Sequence, residues 1–169
     1  DSLDITQNTA LAVLKCQNNQ LTALDLSSLE DIFKVNASNN IITYLLLPDT
    51  NTFTKYIIIP NNLLDTINLS SVNSLNIGVL DISDNNLRRL DLRKVYFGEL
   101  YCDTNQLISL DLRNNDNQNI NVIRAVGNND LTCISVDDTA YSNTNWTLAN
   151  NFEFDPQVSF SDDCNALVA

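Results

Sequence analysis

The chain has 169 residues, enough for one well-filled domain, and a formal charge of −12. That charge argues against nucleic acid, whose phosphates need a basic surface to displace their counterions, and against anionic membranes. Histidine is absent, which removes the usual catalytic triads and zinc sites. Apolar residues make up 44% of the chain, too many for a disordered polymer. The longest apolar runs, Tyr44 to Leu47 and Tyr56 to Ile59, are too short to cross a bilayer, so no membrane insertion is expected.

From the N-terminus onward, a Leu-x-Leu type triplet recurs. Its last residue falls at Ile5, Leu26, Leu47, Leu69, Leu92, Leu112 and Val136, at steps of 21, 21, 22, 23, 20 and 24. Because Leu3-Asp4-Ile5 already reads as the second half of a unit, the chain is expected to be a piece of something longer. Ahead of each later triplet lies a second pattern: apolar, two variable, apolar, one variable, small apolar, two variable, then Asn. The first copy runs through Leu11, Leu14, Cys16 and Asn19 to Leu21, and the second through Ile32, Val35, Ala37, Asn40 and Ile42. The third is looser, with Thr54, Ile57, Ile59, Asn62 and Leu64. Ile77, Leu80, Ile82, Asn85 and Leu87 make the fourth; Phe97, Leu100, Cys102, Asn105 and Leu107 make the fifth. The sixth, Ile120, Ile123, Ala125 and Asn128, carries one extra residue before Leu131.

Phased repeats of this length mean a solenoid. The apolar-x-apolar centre reads as a short strand with alternate residues inward; one copy cannot bury that face alone, but stacked copies build a continuous core. The column Asn19, Asn40, Asn62, Asn85, Asn105 and Asn128 sits where the chain turns out of the strand. An amide there can satisfy buried backbone groups, so its role is structural. Roughly 21 residues leave no room for a long helix, and the return path is expected to be extended segments and short 3₁₀ turns. Asp4, Asp25, Asp91 and Asp111 fall mid-triplet and are expected to point to solvent.

The repeated L-x-x-L-x-L-x-x-N-x-L pattern resembles that of leucine-rich-repeat proteins over nearly the whole chain. The resemblance implies a right-handed superhelix, α/β in the broad sense, with a parallel sheet on the concave face and little α-helix. After Val136 the repeat stops. Leu131 to Asp138, Asn145-Trp146 and Phe160 to Cys164 resemble the C-terminal cap of secreted or cell-surface bacterial leucine-rich-repeat proteins. This divides the chain into repeats at 1–136 and a cap at 137–169, with Trp146 and Phe152 or Phe154 as the plug. It also implies an extracellular or cell-surface location in a Gram-negative bacterium. Cys16 and Cys102 hold the same inward position four repeats apart, about 19 Å at the strand spacing, too far to bond each other. They are read as core fillers, and Cys133 and Cys164, which flank the cap, are paired as a disulfide. That bond requires an oxidising compartment.

The variable positions beside the inward residues line the concave face. Its N-terminal end is basic and rich in amides. The middle and C-terminal end gather Tyr56, Ile58, Val79 and Tyr101 beside Asp81, Glu99, Asp103 and Arg124. Exposed aromatics ringed by charge suit a protein interface, so these eight residues are the candidate partner-binding set of a non-catalytic adhesion or recognition module, expected to be a monomer. A carbohydrate-binding module is the alternative, with Tyr56 and Tyr101 stacking on sugar rings. Asp81 and Glu99 imitate a glycosidase pair but imply no cleft. An ion pair with Arg124 is expected in place of a calcium site on Asp81, Glu99 and Asp103. No cofactor and no metal are expected.

Overall fold

The computed structural model describes residues 3–29, 31–48, 53–67, 69 and 74–164; the last five positions assigned to the cap lie outside them. In chain order the strands are β1 (Val13–Lys15), β2 (Ala23–Asp25), β3 (Lys34–Asn36), β4 (Tyr44–Leu46), β5 (Phe53–Ile58), β6 (Leu75–Asp81) and β7 (Arg89–Asp91). They continue as β8 (Val95–Tyr101), β9 (Ser109–Asp111), β10 (Val122–Arg124), β11 (Cys133–Ser135), β12 (Phe152–Glu153) and β13 (Ser159–Ser161), with one helix, α1 (Thr139–Asn145), between β11 and β12. The first strand of each turn joins a seven-stranded sheet in the order β1-β3-β5-β6-β8-β10-β12. Its pairings are all parallel. The chain is a leucine-rich-repeat-like solenoid of about six turns.

The return side is more regular than extended segments and 3₁₀ turns. Its Leu-x-Leu triplets pair between turns: β7, β9 and β11, joined by β13 of the cap, form a four-stranded parallel sheet, β13-β11-β9-β7, and β2 and β4 form a two-stranded one. The near-constant period stacks these triplets at strand spacing, and their N–H and C=O groups then satisfy each other. Single-turn 3₁₀ segments follow β9 at Asn117–Asn119 and α1 at Leu148–Asn150.

Between the two sides lies the core. Leu24, Val35, Ile57, Ile82, Leu100, Ile123 and Ile134 are buried, each from a different strand or strand end. Cys16 and Cys102 are free thiols in this core, and burial pushes the Cys102 thiol far above its ordinary range. The asparagine column binds successive turns. Asn40 Oδ1 accepts the N–H of Leu21 at 3.0 Å and its amide donates to Cys16 O and Ala37 O. Asn62, Asn85, Asn105 and Asn128 repeat this, accepting from Ile42, Leu64, Leu87 and Leu107 and donating to carbonyls of their own turn and the one before. Asn19 differs: it is exposed, and among the described residues its amide donates to Cys16 O and Gln17 O of its own turn alone.

One position earlier, Asn18, Asn39, Asn61, Asp84, Thr104 and Gly127 all have positive φ, between 51° and 74°. Asn and Asp tolerate this left-handed backbone better than other L residues, which accounts for an Asn at three of these six positions and an Asp at a fourth. The side chains also join outside the core: Asn39 donates to Asn18 and Asn61 to Asn39.

The mid-triplet aspartates close turns. Asp4, Asp25, Asp91 and Asp111 each accept the backbone N–H two residues on. Asp4, Asp25 and Asp91 face solvent, but Asp111 does not. Its carboxylate is gripped by Arg113 at 2.6 Å with Arg93 3.5 Å away, leaving 15% of the side chain exposed.

The segment after Val136 covers the end of the core by extending both sheets. β12 pairs with β10 and β13 with β11, so the cover is hydrogen-bonded to the repeats as well as packed on them. Asp138 caps α1 by accepting from Tyr141 N. Trp146 is buried against Phe152, Phe154 and Phe160, with ring centroids 5.4, 6.4 and 5.5 Å away. The plug thus takes both Phe152 and Phe154, where one of the two was expected beside Trp146, and adds Phe160. Cys133 and Cys164 are bonded, tying β11 to the chain just past β13.

Candidate functional site

The seven-stranded sheet turns one set of alternate residues into the core and the other outward. Its pairing aligns the outward residues in rows across the strands. One row runs Lys34, Tyr56, Val79, Glu99 and Val122; the next runs Asn36, Ile58, Asp81, Tyr101, Arg124 and Glu153. Tyr56, Ile58, Val79, Asp81, Glu99, Tyr101 and Arg124, scattered over nearly 70 positions of sequence, therefore lie on neighbouring strands of one face. Asp103 joins them just past the end of β8, where its carboxylate meets Arg124. All eight are part-buried, so each offers a partial side-chain surface rather than a projecting one.

The C-terminal half of the face is a linked polar group. The Tyr101 hydroxyl donates to Glu99 Oε2 at 2.9 Å. Burial, then this bond and the charge on Glu99, raise the Tyr101 hydroxyl above its ordinary range. Arg124 lies 3.6 Å from Asp103 and 3.5 Å from Glu153. Burial raises the Asp103 carboxyl, with Arg124 opposing. Asp81 is engaged in its own turn, accepting from Ser83 N and Ser83 Oγ at 3.2 and 2.7 Å. With Asp81 held by Ser83, Glu99 by Tyr101 and Asp103 by Arg124, the three carboxylates do not converge. Among the described residues no group of three His, Cys, Asp or Glu side chains is placed to hold a metal ion.

The N-terminal half is built on aromatic rings and amines. Phe33 meets Tyr56 edge to face at 6.1 Å. Lys34 and Lys55 set their ammonium groups 5.2 and 5.4 Å from the Tyr56 ring centre, and Lys55 also reaches Phe33. Sequence reasoning missed Phe33 and Lys55, which lie one column outside the strand centre, where the repeat pattern assigns no face. It also missed Glu153, because β12 comes from the cap and has no triplet to align it. The alternation Phe152-Glu153-Phe154 was the available signal.

No family model matches the chain, and no curated protein does. Among solved structures, the functional domain of InlJ from Listeria monocytogenes, which includes a cysteine ladder, matches 94% of this chain with a TM-score of 0.60 and 23% identity. The two share a fold. The chain spans about a third of the length of that structure, with 36% of it covered. Here the inward column reads Cys16, Ala37, Ile59, Ile82, Cys102 and Ala125, so its two cysteines are separated by three intervening turns and form no ladder.

Proposed function

We propose that the chain is a non-catalytic recognition module that binds a protein partner through the exposed face of its seven-stranded sheet, in an extracellular or cell-surface setting. The observation that carries this reading is the pair of rows that bring Tyr56, Ile58, Val79 and Tyr101 together with Asp81, Glu99, Asp103 and Arg124. Aromatic side chains supply contact area at low entropic cost, and flanking charges orient a partner. The disulfide agrees with an oxidising compartment, and among the described residues no helix is long and apolar enough to cross a membrane.

The carbohydrate alternative rests on tyrosines stacking against sugar rings. Two ammonium groups already lie against the Tyr56 ring, and the Tyr101 hydroxyl is held by Glu99, which favours the protein reading. The test is to isolate a binder with the wild-type chain and compare Tyr101→Ala with Ser109→Ala, an exposed residue of the opposite sheet. Tyr101→Ala is expected to cost about 2 kcal/mol in binding, and Ser109→Ala nothing measurable. The reverse result eliminates this face as the site. A glycan array that captures the chain, with protein binders absent, would replace the partner class.

A further inference from the structure

The whole chain carries −12, yet the exposed face of the long sheet sums to zero. Lys15, Lys34 and Lys55 stand over β1, β3 and β5 at its N-terminal end. None of the three forms an ion pair among the described residues. At the other end Asp81, Glu99, Asp103 and Glu153 are balanced only by Arg124. The face is thus about +3 at one end and about −3 at the other, with Tyr56, Ile58 and Val79 at the junction. The other five cations of the nine, Arg88, Arg89, Arg93, Lys94 and Arg113, lie between residues 88 and 113. The remaining surface is therefore acidic.

We propose that the occupant of this face is a second copy of the chain, turned end for end. The proposal rests on the sheet face being the recognition surface, and it names the partner. A two-fold axis parallel to the strands, running between β5 and β6, superimposes β3 on β8 of the other copy and β5 on β6. The rows are preserved by that rotation, because each row runs perpendicular to the axis. Lys34 and Glu99 belong to the same row, so each lysine is set opposite the other copy's Glu99, twice per dimer. Tyr56 meets Val79 across the axis. In the next row Lys15 lies opposite the other copy's Arg124, a like-charge contact that Asp103 beside that arginine offsets. A parallel arrangement would instead put lysine over lysine. Six strands overlap about this axis, β12 having no counterpart; at about 4.8 Å apart and some 16 Å of exposed length they give roughly 400 Å² per copy, below the roughly 800 Å² of a standard interface. The dimer is accordingly weak and salt-sensitive, and a dilute sample is monomeric.

Sedimentation equilibrium over a concentration series reaching millimolar, at low and high salt, reads it out. The wild-type chain is expected to self-associate at low salt and to weaken as salt rises. Lys34→Glu and Glu99→Lys are each expected to weaken association by about tenfold or more, because each homodimer then carries two like-charge contacts. Mixed in equal amounts, the two variants are expected to recover wild-type affinity, since both contacts between positions 34 and 99 are again between opposite charges. Lys34→Gln and Glu99→Gln, with smaller losses, serve if a reversal disturbs folding, which thermal melts report. A wild-type chain that stays monomeric at low salt, reversals without effect, or a mixture that fails to recover each overturns the proposal. If the chain stays monomeric while Tyr101→Ala still loses an isolated partner, the dimer falls and the recognition reading stands. If the dimer behaves as expected while Tyr101→Ala leaves every isolated partner bound, the face serves self-association and those partners bind elsewhere.

Discussion

Asn85 lies 21 residues from Leu64, yet its side-chain oxygen accepts the Leu64 backbone N–H at 3.0 Å. The same side chain donates to Ile59 O, Ile82 O and Ser83 O, so one amide holds the end of its own strand and stitches it to the preceding turn. Asn85→Ala would leave the buried Leu64 N–H without this acceptor and take one of two side-chain donors from Ile59 O and Ile82 O, and is expected to cost about 1 to 3 kcal/mol. Asn19→Ala, at the exposed end of the column with its amide donating inside its own turn, is expected to cost well under half of that. Denaturant midpoints of the two variants, at unchanged slope, make the comparison.

The left-handed column offers a stabilising change. Thr104 adopts a φ of 51°, which is unfavourable for a β-branched residue. Thr104→Asn restores the residue type found at Asn18, Asn39 and Asn61, and is expected to gain about 0.5 to 1 kcal/mol. Gly127→Ala goes the other way. At φ +74° the backbone disfavours any Cβ, and one placed there would come 3.3 Å from Thr104 N, so a loss of about 1 kcal/mol or more is expected. Thermal melts that place both variants on the same side of the wild type would refute the role given to this column.

The disulfide spans 31 residues and joins β11 to the chain beyond β13. In the chain-entropy account, closing such a loop contributes about 3 to 4 kcal/mol. Cys133→Ala with Cys164→Ala is expected to lower the melting temperature and to expose Trp146, now buried among three phenylalanines. A red shift of tryptophan emission before the main transition would report loosening of the cap ahead of the repeats. Because β12 and β13 also pair with the repeat sheets, the cap is expected to stay attached at low temperature.

Much of this architecture was legible because it repeats. Leu-x-Leu triplets at a steady step define the register, and the period-two alternation then assigns Tyr56, Val79 and Glu99 to one row without any knowledge of the coordinates of the turns. The return-side sheets were not legible in the same way: the triplet spacing permits pairing, but whether the N–H groups of β9 reach β7 depends on how the turns stack. The left-handed column was present as the doublets Asn18-Asn19, Asn39-Asn40 and Asn61-Asn62. It went unread because Asp84 and Thr104 break the residue type while keeping the backbone conformation. At the face, Phe33 and Lys55 escaped because contact across strands depends on side-chain reach, which the repeat pattern does not encode.

Asp103 supplies a pH-dependent test of the polar half of the face. Burial lifts its carboxyl above the ordinary range, and the Arg124 guanidinium 3.6 Å away offsets this only in part. The folded chain therefore binds this proton more readily than the unfolded chain does. The resulting contribution to stability is fully present below the unfolded carboxylate value of about 3.9, and it is lost as pH rises through the higher folded value. At neutral pH the ionised Asp103 is thus a burden. Asp103→Asn removes the charge and leaves Arg124 with Glu153 at 3.5 Å. Its melting temperature is expected to exceed that of the wild type at neutral pH, with the gap closing on acidification. Asp91 gives the opposite sign, since its hydrogen bond to Arg93 holds its carboxyl below the ordinary range. Stability from Asp91 is present above the unfolded value and falls away in acid, and it is small because both side chains are more than half exposed. Melts of the wild type, Asp103→Asn and Asp91→Asn from about pH 3 to about pH 8 bracket both groups. An Asp103→Asn chain less stable than the wild type at neutral pH would mean that the pairing with Arg124 outweighs burial, and the polar group would then be a stabilising brace rather than charge held at a cost for recognition.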